Sequence, residues 1–89
     1  RRRANTFLMI HAHRAGPAQA LVDGILDRLA TRYRLVQVTP GPSGHLLEYL
    51  ARLEGEEVQS SVMDALQEAP EGVVAAAELR SLKGLKPRT

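Results

Sequence analysis

Eighty-nine residues, 44% hydrophobic and 25% charged, amount to one globular domain and exclude wholesale disorder, collagen-like repeats and a second core. With no cysteine in the chain, disulfide frameworks, thiolate zinc sites, iron–sulfur clusters and cysteine nucleophiles are excluded as well. The formal charge of +2 conceals a division: Arg1, Arg2, Arg3, Arg80, Lys83, Lys86 and Arg88 lie at the two ends, whereas all 10 acids fall between Ala4 and Leu79, against Arg14, Arg28, Arg32, Arg34 and Arg52.

From Thr6 to His11 the residues Thr-Phe-Leu-Met-Ile-His form a short apolar run of strand formers, which predicts a first strand. Gly16-Pro17 supplies a helix start, because proline in the first turn loses no hydrogen bond. Leu21, Val22, Ile25, Leu26 and Leu29 then recur at helical spacing, predicting a helix to about Tyr33 with Asp23, Asp27 and Arg28 facing water. A second strand is predicted over Arg34 to Thr39, ended by the hairpin loop Pro40-Gly41-Pro42-Ser43-Gly44. His45 to Leu53 alternates Leu47, Tyr49, Ala51 and Leu53 with Leu46, Glu48, Leu50 and Arg52, the period of a third strand. Glu56 and Glu57 open a second helix whose stripe is Val58, Val62, Leu66 and Ala69, and Pro70 with Gly72 stops it. Val73 to Leu79 is predicted to be the fourth strand.

Strand, helix, strand, strand, helix, strand is the ferredoxin-like order. With right-handed crossovers it predicts an α+β sandwich: a four-stranded antiparallel sheet in order 4-1-3-2 with both helices on one face. The expected organisation is a basic linker over residues 1–5, the domain over 6–82, and a flexible basic tail over 83–89. The uncovered sheet face is expected to carry Phe7, Met9, Leu46, Leu50, Val74 and Ala76 among Glu48, Arg52, Glu78 and Arg80. A contiguous apolar patch of this kind marks a partner surface, so a homodimer through the sheet face or its edges is expected.

His11 and His13, two apart, share a strand face, and the 4-1-3-2 order brings His45 to the same end of the molecule. The three are the candidate metal ligands, although the parity of the third strand turns His45 toward the helices. No serine lies in an elbow motif or beside a histidine by spacing, so no catalytic residue is expected and the chain is read as no enzyme. Phe7, Tyr33 and Tyr49 are the only aromatic residues, too few for base stacking across a sheet. The acidic body is not expected to attract phosphate strongly, and no nucleic-acid partner is expected. The turn Arg14-Ala15-Gly16 precedes a helix N-terminus whose free N–H groups suit an anionic small ligand, making these three the candidate ligand-binding residues.

The segment Arg14-Ala15-Gly16-Pro17-Ala18 with Leu21-Val22 and Ile25-Leu26 resembles an ACT-type regulatory domain, in which a glycine-bearing turn before the first helix meets an amino-acid ligand at a dimer interface. The family usually has proline before glycine and a nearby acid at this turn, where this chain has Gly16-Pro17 and His13-Arg14. The segments Arg32 to Val38, His45 to Leu53 and Val73 to Arg80 look like the C-terminal cytoplasmic part of polytopic bacterial membrane proteins of unknown function. MgtC-type membrane proteins end in a similar ACT-like module. The resemblance implies a cytoplasmic regulatory and dimerisation module, attached to the membrane through transmembrane segments of a longer chain. The Arg1 to Arg3 run and the start at arginine rather than methionine fit that expectation.

Overall fold

Six elements follow one another in the expected order: β1 (Thr6–Ala12), α1 (Ala15–Leu29), β2 (Arg32–Gly41), β3 (Gly44–Arg52), α2 (Glu56–Gln67) and β4 (Ala76–Ser81). The structure, a computed structural model, describes residues 3–70 and 72–82; the expected tail over 83–89 and the first two arginines lie outside the described residues. The strands form one antiparallel sheet in the order β2-β3-β1-β4, the expected 4-1-3-2 arrangement counted from its other edge. This is the ferredoxin-like α+β sandwich.

Alternation decides which face each residue takes. Leu8, Ile10 and Ala12 of β1 and Leu47, Tyr49 and Ala51 of β3 turn inward, where Ala18, Val22, Ile25 and Leu26 of α1 and Val62 and Leu66 of α2 cover them in one buried cluster. The two central strands therefore supply most of the sheet's share of the core. From the edge strands, Tyr33 and Leu35 of β2 and Ala77 and Leu79 of β4 are only partly buried against it. Asn5 extends the β1–β3 ladder through its side chain: Nδ2 donates to the Leu53 carbonyl (2.8 Å), and Oδ1 accepts from the Leu53 N–H (3.0 Å).

Two expected boundaries shift, and a third departure lies within a strand. Helix α1 stops at Leu29 rather than near Tyr33: the Ala30 N–H still donates to the Leu26 carbonyl, but the Thr31 N–H donates to the Arg52 carbonyl of β3 (2.9 Å). Sheet pairing captures the chain there, and Tyr33 enters β2. Strand β4 begins at Ala76 rather than Val73, because the Val73 N–H closes a turn on the Pro70 carbonyl (3.1 Å) and pairing with β1 starts only at Ala75, whose N–H donates to the His11 carbonyl. Val74 is accordingly not on the uncovered sheet face. It precedes the strand and lines a cavity with Met63 and Leu66 of α2.

The third departure is a bulge in β2. Leu35 pairs with Tyr49 and Gln37 with Glu48, so Val36 is the extra residue. From this point β2 is exposed on both faces, Val36 and Val38 being 43% and 36% exposed. A bulge, together with Pro40 on an edge strand, also blunts the unpaired edge against strand addition.

Candidate functional site

The β2–β3 hairpin and the end of β1 enclose a cavity of about 310 Å³ lined by His11, His13 and His45, with Thr39 and Ser43 contributing hydroxyl groups. The expected gathering of the three histidines at one end of the sheet is thus present. Their directions differ: His11 pairs with Leu46 on the uncovered face, whereas His45 pairs with Ala12 on the helix side. The Nδ1 of His45 lies 3.4 Å from the His13 carbonyl oxygen. Among the described residues no three His, Cys, Asp or Glu side chains converge on a point where a metal ion would sit.

Arg14, Ala15 and Gly16 lie next to this cavity but outside its lining. Arg14 is the N-cap of α1, in extended conformation, and no side chain caps the helix or places an acid in its first turn. A side chain at Gly16 would meet open space. The start of α1 therefore offers uncapped N–H groups to an approaching anion, without a cavity built around them.

Strand register arranges the uncovered face in rows across β2, β3, β1 and β4: Arg34, Leu50, Phe7 and Arg80; then Gln37, Glu48, Met9 and Glu78; then Thr39, Leu46, His11 and Ala76. The apolar side chains thus run down the two central strands, and charges of opposite sign occupy adjacent rows. Phe7, Met9, Leu46 and Leu50 are half-buried and Ala76 is exposed. Arg80 Nη2 meets Glu78 Oε2 at 2.8 Å.

A feature missed in the sequence lies at the β2 corner of this face, where Arg3, Arg32 and Arg34 line a second cavity of about 340 Å³ with Tyr33, Leu50 and Ala51. Balancing the body arginines against the body acids hides it, because register rather than overall composition decides which charges become neighbours. Arg32 stands opposite Arg52 in the β2–β3 ladder only because of the Val36 bulge: counted outward from the Gly41–Gly44 pair with equal spacing, Arg52 would face Tyr33.

On the helix side, Tyr49 Oη donates to Asp23 Oδ1 (2.9 Å) and Tyr33 Oη donates to an Asp27 carboxylate oxygen. The two rings are tilted at 45° with centroids 6.3 Å apart. Asp23, expected to face water, instead ties α1 to the sheet. The hydrogen bond to Asp27, and secondarily burial and the nearby carboxylates, push the Tyr33 hydroxyl up to about 12. Burial, then the Asp23 hydrogen bond, pushes Tyr49 up as well.

No protein-family model and no curated protein sequence matches this chain. Among the described residues no helix is long and apolar enough to cross a membrane.

Proposed function

We propose that this chain is a non-enzymatic regulatory module that forms a homodimer through the uncovered face of its sheet. The observation that carries the reading is the row pattern of that face. A twofold axis lying across the strands, between the Arg34–Arg80 row and the Gln37–Glu78 row, sets Arg80 of one copy over Glu78 of the other. The same operation sets Phe7 over Met9 and lays the Leu50 side chain against the stem of Glu48. Closed twofold contacts need such self-complementarity, and opposite charges fix their register. Small-ligand sensing at Arg14, Ala15 and Gly16, and a place on the cytoplasmic side of a bacterial membrane protein, rest on the resemblance to ACT-like modules. The uncapped start of α1 supports the first of these. Regulation would follow from linkage, a ligand shifting the dimer population by its differential affinity for the two arrangements.

Light scattering over a concentration series tests the dimer. Leu50→Asp places an unpaired carboxylate in the contact and is expected to weaken association by roughly 100-fold or more. Its effect on the melting temperature of the monomer should be small, because Leu50 points away from the core. A wild-type chain that is monomeric at every concentration overturns the reading.

A second reading, metal binding by His11, His13 and His45, is favoured by their shared cavity. It requires zinc or nickel to raise the melting temperature, and the rise to vanish in the His11→Ala, His13→Ala double variant. Since the three side chains do not converge, the expected result is no metal-dependent rise in either protein.

A further inference from the structure

We propose that Arg3, Arg32 and Arg34 form a binding site for a phosphate-bearing anion. Arg32 and Arg34 are two apart in β2, on the strand segment before the Val36 bulge, so both project from the uncovered face. Arg3 reaches the same cavity from the segment preceding β1. None of the residues lining this cavity is acidic. Among the described residues neither Arg32 nor Arg34 takes part in an ion pair. Glu48, the acid of the adjacent row, stands opposite Gln37 rather than either arginine.

Arg52 shows why the cluster is open to a ligand. It faces Arg32 across the ladder, yet its Nε is held by Glu54 Oε2 at 3.1 Å and its Nη1 donates to the Arg3 carbonyl at 3.2 Å. One guanidinium is thereby neutralised, and it anchors the Arg3 main chain at the cavity rim. Among the described residues the other three have no acidic partner. Like charges directly opposite in a sheet are destabilising, and ten acids were available in the chain to relieve them. At the opposite edge of the same face Arg80 is paired with Glu78.

The chemistry favours phosphate over carboxylate. A carboxylate matches one guanidinium fork, whereas the oxygens of a phosphate monoester or diphosphate engage two or three guanidinium groups at once. An extended nucleic acid is disfavoured by Glu48 and Glu78 in the middle row of the face. A phosphorylated small molecule and a phosphate lipid headgroup offer the same group, and their sources are separable by experiment.

The test is calorimetric titration of the 89-residue chain with sodium diphosphate, repeated with Arg32→Gln, Arg34→Gln and the double variant, and with Arg28→Gln, exposed in the last turn of α1 on the other side of the sheet, as the control. Losing one charge-assisted contact is expected to weaken binding roughly tenfold, the double variant to abolish it, and Arg28→Gln to leave it unchanged. Without diphosphate the double variant should melt at or above the wild-type temperature, since it relieves repulsion; this separates loss of binding from loss of fold. Flotation with phosphatidylcholine vesicles containing phosphatidic acid identifies the source. Vesicle binding that needs Arg32 and Arg34 and is displaced by diphosphate marks a lipid headgroup site, whereas diphosphate binding without vesicle binding marks a soluble ligand. No diphosphate binding, equal binding by the double variant, or binding confined to single-stranded RNA overturns the proposal. Because Arg34 and Leu50 also stand in the proposed dimer contact, light scattering accompanies each titration and the variants are compared at matched association state, which keeps failure of the anion site distinguishable from failure of the dimer.

Discussion

Gly44→Ala is expected to destabilise the protein by about 2–3 kcal/mol, the cost typical of forcing extra atoms into a packed site. For a domain of this size that corresponds to a fall in melting temperature of roughly 8–24 °C. Gly44 opens β3 just after the two-residue turn Pro42-Ser43, where the end of β1 comes close: a Cβ there would overlap the Ala12 carbonyl oxygen and crowd the carbonyl carbon of Ala12 and Cα of His13. All three atoms are backbone, so no rotamer change relieves the clash. Either the β1–β3 pairing separates at His45 or the hairpin shifts, and both disturb the histidine cavity. Gly41→Ala is the matched control, because its nearest neighbour would be the Gly44 carbonyl oxygen at 3.7 Å, an ordinary contact. A thermal melt in which the two variants behave alike would show that the close approach is not the source of the effect.

The same corner shows what the sequence reveals and what it conceals. Leu47, Tyr49, Ala51 and Leu53 alternate with Leu46, Glu48, Leu50 and Arg52 so regularly that the buried face of β3 is legible from spacing alone, and all of the first set are fully buried. Once the strand order is known, the histidine gathering is legible too. The Val36 bulge is not, because two residues opposing one leave no mark in a run of strand formers such as Leu35-Val36-Gln37-Val38. Nor is the late start of β4: Val73 and Val74 have strand propensity, but the Val73 N–H closes a turn on Pro70 and Val74 lines a cavity with the end of α2 instead. The arginine cavity lies between these cases. Arg3 is far in the chain from Arg32 and Arg34, and only the bulged register of β2 and the path of the segment before β1 bring these three positive charges, unpaired among the described residues, to one corner.

Tyr49→Ala should cost about 3–5 kcal/mol, as other large-to-small aromatic substitutions in cores do, and that is a large share of the roughly 5–15 kcal/mol by which a native domain is stable. Tyr49 is fully buried in a central strand, and its ring packs beside that of Tyr33. Tyr49→Phe keeps the ring and removes only the hydroxyl that donates to Asp23, so about 1 kcal/mol is expected from the lost hydrogen bond. The difference between the two variants measures packing against polar anchoring of α1. Dependence on pH isolates the hydroxyls further. Both tyrosine values are raised in the folded protein, so the folded state holds these protons more tightly than the unfolded chain, whose tyrosines ionise near 10. Their stabilisation is complete below pH about 10 and is lost as pH rises toward and beyond 12. Urea denaturation between pH 9 and 12 should therefore show wild-type stability falling with pH, and Tyr49→Phe falling less steeply because one of the two linked protons is gone. Parallel slopes would mean that the Tyr49 hydroxyl ionises equally easily in both states, and the anchor between β3 and α1 would have to be sought in packing alone.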